Sequence, residues 1–175
     1  MYNKVILIFL MIVLPLNMFS QEEEQIDYEA FDITKVGQQV PDFSFETIDG
    51  KSFEMSQLKG KTVLLVFFAT WCGPCMKELP RIQEEIYNKY HSDQFMVIAF
   101  GRNHSMDEIK KFNEAKGFSF LLAPDPDRNI YSKFFEQYIP RNVLVDKTGK
   151  IVYQRTGYDE EDAKQLKGLI AKELN

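Results

Sequence analysis

Cysteine and histidine are nearly missing from this chain, with two of each in 175 residues. Two cysteines cannot build a disulfide scaffold, and a pair three positions apart closes too short a loop to restrain much chain entropy. Neither His91 nor His104 stands at a finger-like spacing that would complete a four-ligand zinc site. Both histidines lie in polar stretches and are expected on the surface. Positive charge is also short: 21 Lys and Arg against 26 Asp and Glu leave a net charge of −5. That balance disfavours nucleic acid and anionic membrane surfaces as partners. Internal repeats and low-complexity tracts are absent, which excludes solenoids and fibrous arrays.

What remains is 45% hydrophobic and 14% aromatic, a composition that packs, in a chain long enough for one domain with a sizeable core. The first twenty residues carry an export signal by pattern: Lys4, then Val5 to Leu16 without a charge, then Pro15 and Asn17 breaking the run before Phe19-Ser20-Gln21. The apolar run falls short of the ~20 residues of a relaxed membrane-spanning helix. Cleavage near Ser20 is expected, despite Met18 at the −3 position, with an uncleaved N-terminal anchor as the alternative. The absence of a cysteine there argues against lipidation. Residues 21–36 begin with Glu22-Glu23-Glu24, lack periodicity and read as an acidic linker or loosely docked arm.

The two cysteines belong to one pentapeptide, Trp71-Cys72-Gly73-Pro74-Cys75. The apolar run Val63 to Ala69 leads into it and a helical stretch from Met76 to about Tyr90 leads away. A buried strand thus delivers two thiols to a helix N-terminus, where amide N–H groups and the helix dipole favour thiolate. A free cysteine has a pKa of roughly 8.5, and such sites bring it to ~7 or below. Cys72, at the helix start, is the expected nucleophile, and Cys75, one turn on and within disulfide reach, the resolving thiol. Gly73 and Pro74 keep the turn tight. Trp71 is expected to be a flat apolar wall of a docking groove.

The rest of the domain, 37–175, reads in order as follows. Val40 to Phe53 forms a β-hairpin turning at Asp49-Gly50, and Ser56 to Gly60 a short helical turn. Val63 to Ala69 is a central strand. The first helix is kinked at Pro80. Phe95 to Phe100 is a strand, and a helix follows that Ser105 and Glu108 cap and Gly117 ends. Phe118 to Leu122 is a short strand, Pro124-Asp125-Pro126 a turn, and Arg128 to Tyr138 a helix. A hairpin turning at Asp146 to Gly149 and a last helix from Glu160 to Leu174 complete the chain. The fold class is α/β, a mixed central sheet flanked by helices.

This order, with Ile139-Pro140 before a late strand, resembles the thioredoxin-like superfamily. More narrowly it is similar to the exported TlpA/ResA-type thiol–disulfide oxidoreductases. The narrower match rests on the Pro41-Asp42-Phe43 opening and its hairpin, the inserted helix and strand between Ser105 and Leu122, and Glu78-Leu79-Pro80 after the second cysteine. The resemblance implies a cis Pro140 facing the cysteines, with the Ile139 backbone free to pair with a bound peptide. Ordinary thioredoxins carry a buried Asp on the central strand where Val66 stands here. In TlpA/ResA-type proteins a Glu at the place of Glu78 takes its part, with a raised pKa suited to moving the Cys75 proton. Arg141-Asn142 departs from the small hydroxyl residues often found after that proline. Thr156-Gly157 is read either as a third loop near the site or as a plain strand-to-helix turn.

The implied activity is dithiol–disulfide exchange without metal or cofactor, reducing disulfides of exported proteins, apocytochrome c among the candidates. The electrons would come from a membrane-embedded thiol reductase. A peroxiredoxin-like thiol peroxidase is the first alternative, but Ala69 stands where that site wants a Thr three residues before its reactive cysteine. A metal-binding or non-catalytic binding module is the second. Covalent haem attachment is excluded by Met76, where a histidine would be needed.

Overall fold

The computed structural model describes residues 26–175; the export-signal reading and the glutamate run lie outside the described residues. A two-stranded antiparallel hairpin, β1 (Ser44–Glu46) and β2 (Ser52–Glu54), turns at Asp49-Gly50 and runs into a 3-10 turn, Met55–Leu58. The main sheet has five strands in the order β5-β4-β3-β6-β7. These are β3 (Thr62–Phe68), β4 (Phe95–Arg102), β5 (Leu121–Asp125), β6 (Arg141–Val145) and β7 (Ile151–Thr156). β3 pairs in parallel with β4 and β4 with β5, while β6 and β7 run antiparallel. This is the expected thioredoxin-like fold.

The central strand explains the layers. Every residue of β3 is buried, because both faces of the sheet are covered. Leu64, Val66 and Phe68 meet Leu79, Ile82, Ile86, Ile109, Leu166 and Ile170 on the helical side. Val63, Leu65 and Phe67 meet Phe43, Phe45, Tyr131, Phe134 and Phe135 on the other. Each such side chain contributes roughly 1.5–3 kcal/mol of burial free energy.

Four helices are set on this frame. α1 (Gly73–Arg81) follows β3, passes into a π-helical segment, Ile82–Tyr87, and closes with a last turn, α2 (Asn88–Tyr90). The break expected at Pro80 takes this form: proline offers no N–H to the helix, and a wide turn follows it. α3 (Met106–Lys116) has the expected capping box between Ser105 and Glu108 and ends at Gly117, whose φ of 70° suits a left-handed cap. α4 (Glu160–Leu174) is capped by Asp159. Among the described residues no helix is long and apolar enough to cross a membrane.

Three local expectations need correction. The strand expected at 118–122 lies at Leu121–Asp125. Asn113 holds the Phe118 N–H and carbonyl in a loop, and Pro124 is tolerated because β5 is an edge strand. The helix expected over 128–138 is reduced to one 3-10 turn, Tyr131–Lys133. Its apolar spacing is real, since Ile130, Phe134 and Phe135 are buried. However, the Asp125 carboxylate accepts the N–H groups of Ile130 and Tyr131, and Arg128 and Tyr138 have positive φ. The described part of the acidic linker, from residue 26, is docked rather than loose. Tyr28–Phe31 forms a 3-10 turn, Asp32 pairs with buried Arg141, and Thr34 exchanges hydrogen bonds with Gln154.

Candidate active site

β3 ends at Phe68, and the chain turns through Ala69 to Cys72 before α1 begins. The Cys72 N–H donates to the Ala69 carbonyl at 3.1 Å and closes that turn. Cys72 is the N-cap of α1, with its sulfur accepting the Cys75 N–H at 3.2 Å, so a first-turn amide points at this sulfur. Cys72 and Cys75 are joined as a disulfide, with Cα atoms 5.3 Å apart. Cys72 is 6% exposed and Cys75 fully buried, the order expected of an attacking and a resolving thiol. Gly73 and Pro74 lie exposed at the start of α1. Trp71 is 66% exposed, a large apolar side chain standing free beside the sulfur.

Opposite the pair, the Ile139–Pro140 peptide is cis, and the Ile139 carbonyl oxygen lies 3.8 Å from the Cys72 sulfur. Ile139 is half-buried and Pro140 buried. Tyr131 steadies this loop from the far face of the sheet, its hydroxyl donating to the Tyr138 carbonyl at 2.5 Å. Thr156-Gly157 does reach the site: the Gly157 N–H donates to the Pro140 carbonyl at 3.0 Å.

Glu78 stands one turn beyond Cys75 on α1 and is 3% exposed. One carboxyl oxygen accepts a hydrogen bond from the Asn142 side-chain amide. The other has no partner among the described residues. Burial pushes the Glu78 carboxyl up to about 7; the Asn142 bond opposes this, Asp162 adds to it and Arg81 reduces it. Val66, at the position of the acid in ordinary thioredoxins, is fully buried and pairs across the sheet with Asn142. The strand therefore contributes an amide from its neighbour instead of a carboxylate of its own. The same Asn142 amide donates to the Gly157 carbonyl at 3.1 Å, tying helix, strand and third loop together.

Two residues with a place here escape the sequence. Asn142 stands out there only as an unusual follower of Pro140. The polar stretch around His104 predicts a surface position for it, as for His91. His91 is exposed, but His104 is 5% exposed, and its Nε2 accepts the Thr70 N–H at 2.9 Å. Burial lowers its pKa, with the Glu108 charge opposing. The contact joins residues 34 positions apart, and the polar residues around His104 in the sequence do not disclose it.

Comparison with known proteins agrees with this geometry. A family model described as Redoxin matches residues 35–170. The chain belongs to the Redoxin family. It is 35% identical over 138 residues to the thiol-disulfide oxidoreductase ResA of Bacillus thuringiensis (strain Al Hakam), covering 79% of this chain and 78% of the relative. A Bacteroides thetaiotaomicron protein provisionally assigned as a protein disulfide isomerase superposes with a TM-score of 0.78 at 35% identity, covering 82% of this chain and 92% of that one. The exposed lipoprotein thioredoxin of Streptococcus pneumoniae gives a TM-score of 0.64 at 26% identity, covering 75% and 99%. This Redoxin-family chain is a thiol–disulfide oxidoreductase, with Cys72 and Cys75 at disulfide distance.

Proposed function

We propose that the reduced chain acts outside the cytoplasm as a reductase of disulfides in exported proteins. The Cys72 thiolate attacks one sulfur of the partner's disulfide; the partner's other sulfur leaves as thiolate and takes a proton. Cys75 gives its proton to Glu78, and its thiolate attacks the Cys72 sulfur. The partner's second thiol is released, and two electrons have moved from the dithiol to the substrate. Trp71, Gly73 and Pro74 flank the docking surface, and the Ile139 backbone pairs with an extended segment of the substrate. A membrane-embedded thiol reductase restores the dithiol in an oxidising compartment. The export pattern of residues 1–20 and the exposed pneumococcal relative support the location, and the ResA relatives the activity. Apocytochrome c is one candidate substrate.

The observation that carries this reading is Glu78, a buried carboxyl behind Cys75 whose affinity for a proton lies near neutrality. General acid–base help of this kind is worth roughly 10²–10⁴ in rate. Glu78→Gln is expected to slow insulin disulfide reduction about 100-fold, while Cys75→Ser accumulates the mixed disulfide. Equal turnover after Cys75→Ser would defeat the dithiol mechanism. The reduction potential is expected on the reducing side, toward the roughly −270 mV of thioredoxin. A value near that of DsbA, about −120 mV, would reverse the direction. The peroxidase alternative gains nothing here: Ala69 is fully buried before the pair, and Arg81 on α1 is engaged by Glu85, Glu160 and the Tyr158 carbonyl.

A further inference from the structure

The turn that presents Trp71 and Cys72 has a weak point in its hydrogen bonding. β3 stops pairing at Phe68, opposite Gly101 of β4, so the Thr70 N–H is beyond the reach of the sheet ladder. A backbone donor left without a partner in such a place costs about as much as a lost hydrogen bond. The chain leaving β4 supplies the missing acceptor. His104 lies between the end of that strand and the N-cap of α3, and its Nε2 takes the Thr70 N–H at 2.9 Å and lies 3.3 Å from the Thr70 hydroxyl.

We infer that His104 is a positioning residue for the dithiol: as the neutral Nδ1–H tautomer, its Nε2 fixes Thr70 and through it the turn carrying Trp71 and Cys72. A ring nitrogen that accepts a backbone N–H cannot itself carry a proton, so the contact defines the tautomer. His104 is itself buried, 5% exposed. A Cβ built on Gly101 would lie 2.2 Å from the Ile109 Cδ1 and 3.4 Å from the His104 Cβ, so β4 and α3 approach each other too closely there for a side chain at position 101. The His104 N–H also donates to the Gly101 carbonyl at 3.2 Å.

The same contact makes the turn sensitive to acid. Protonation places a hydrogen on Nε2, facing the Thr70 N–H, and the bond is lost. The neighbours then favour a different pairing. Nδ1 has no hydrogen-bond partner among the described residues, and the Glu108 carboxylate of α3 lies 3.9 Å from it. Glu108 is the charged group acting on the ring; Thr70 from the β3–α1 turn, Gly101 from β4 and Ile109 from α3 contribute none. Protonated His104 therefore presents Thr70 with an N–H in place of a lone pair while its charge is drawn to Glu108, and the Thr70 N–H loses its acceptor. The inference rests on Cys72 being the attacking thiol.

The test uses three variants of the full chain. His104→Gln keeps an acceptor near the Nε2 position but cannot titrate. His104→Leu removes the acceptor. Cys72→Ser is the control for the dithiol reading. Thr70 amide exchange is read by NMR on the oxidised protein, and kcat/KM for a protein disulfide is measured from pH 5 to 8. The expected result is wild-type kcat/KM for His104→Gln at pH 7.5, with the Thr70 amide no longer shifting in the histidine range. For His104→Leu, about a tenfold lower kcat/KM and a comparable loss of Thr70 protection are expected. Wild-type Thr70 protection and activity in a folded His104→Leu would overturn the inference. So would a histidine-range shift of the Thr70 amide that persists in His104→Gln, a variant that decides the matter even where the leucine variant fails to fold. Activity retained in Cys72→Ser would instead strike the dithiol reading itself.

Discussion

Arg141 and Asn142 are neighbours on β6, point to opposite faces of the sheet and each hold an acidic side chain. Arg141 is 1% exposed and meets Asp32 at 2.7 Å, gives further N–H groups to the Tyr28 and Gln137 carbonyls, and lies 4.4 Å from the centre of the Phe135 ring. Asn142 offers Glu78 one neutral amide, and the second carboxyl oxygen of Glu78 stays unpartnered among the described residues. The first acid is matched by a full charge and serves to fasten the N-terminal arm. The second is desolvated without a matching charge, which is why its proton is held to about 7. The two acids thus differ by how completely each carboxylate is answered.

Breaking the matched side should cost most. Arg141→Ala leaves Asp32 without its cation inside the packed arm, for a loss of about 3–5 kcal/mol. This is read as a lower denaturant midpoint at unchanged slope, with kcat/KM of the folded protein within about threefold of wild type. A loss under ~1 kcal/mol would mean that the arm is held by other contacts.

On the unmatched side the sign reverses. The folded-state pKa of Glu78 is raised from 4.5 to about 7. The neutral acid is therefore tolerated below pH 4.5, and stability is lost as pH rises through about 7. Relative to wild type, Glu78→Gln should gain stability with pH, approaching about 3 kcal/mol above neutrality and vanishing below pH 4.5. Denaturant curves at pH 4, 6 and 8.5 check this; parallel curves for the two proteins would show that Glu78 does not titrate in that window.

The smallest effect isolates the amide. Asn142→Ala removes the bond that holds the Glu78 proton affinity down. The carboxyl should titrate about one unit higher, equivalent to ~1.4 kcal/mol, as followed by its infrared band against pH. An unmoved band would reduce Asn142 to a clasp for the Gly157 loop.

The comparison also separates what the sequence discloses from what it hides. Local signals carried far. The unbroken apolar run at Val63 to Ala69, the Ser105–Glu108 cap and the turn glycines act within a few residues, and the structure uses them as written. Glu78 was legible because three positions from Cys75 on one helix fixes its side. The Arg141–Asp32 pair spans 109 positions and His104–Thr70 spans 34, and nothing local marks an arginine or a histidine for burial. The helix expected over 128–138 failed in the opposite way. Its apolar period was sound, but the Asp125 carboxylate captured the two N–H groups that a helix would have used.

The docked arm gives the fold a direction of load. Tension applied at residue 26, where the described arm begins, arrives at Asp32 and Arg141 before it reaches the hydrogen bonds of the sheet. Arg141 is covalently joined to Pro140 on one side and Asn142 on the other, so the strand bearing that tension is the one that follows the cis peptide and carries the amide on Glu78. A displacement of the arm would thereby act first on the strand beside the cis peptide, and would reach Cys72 and Cys75 only through β3, which Arg141 pairs at Phe67.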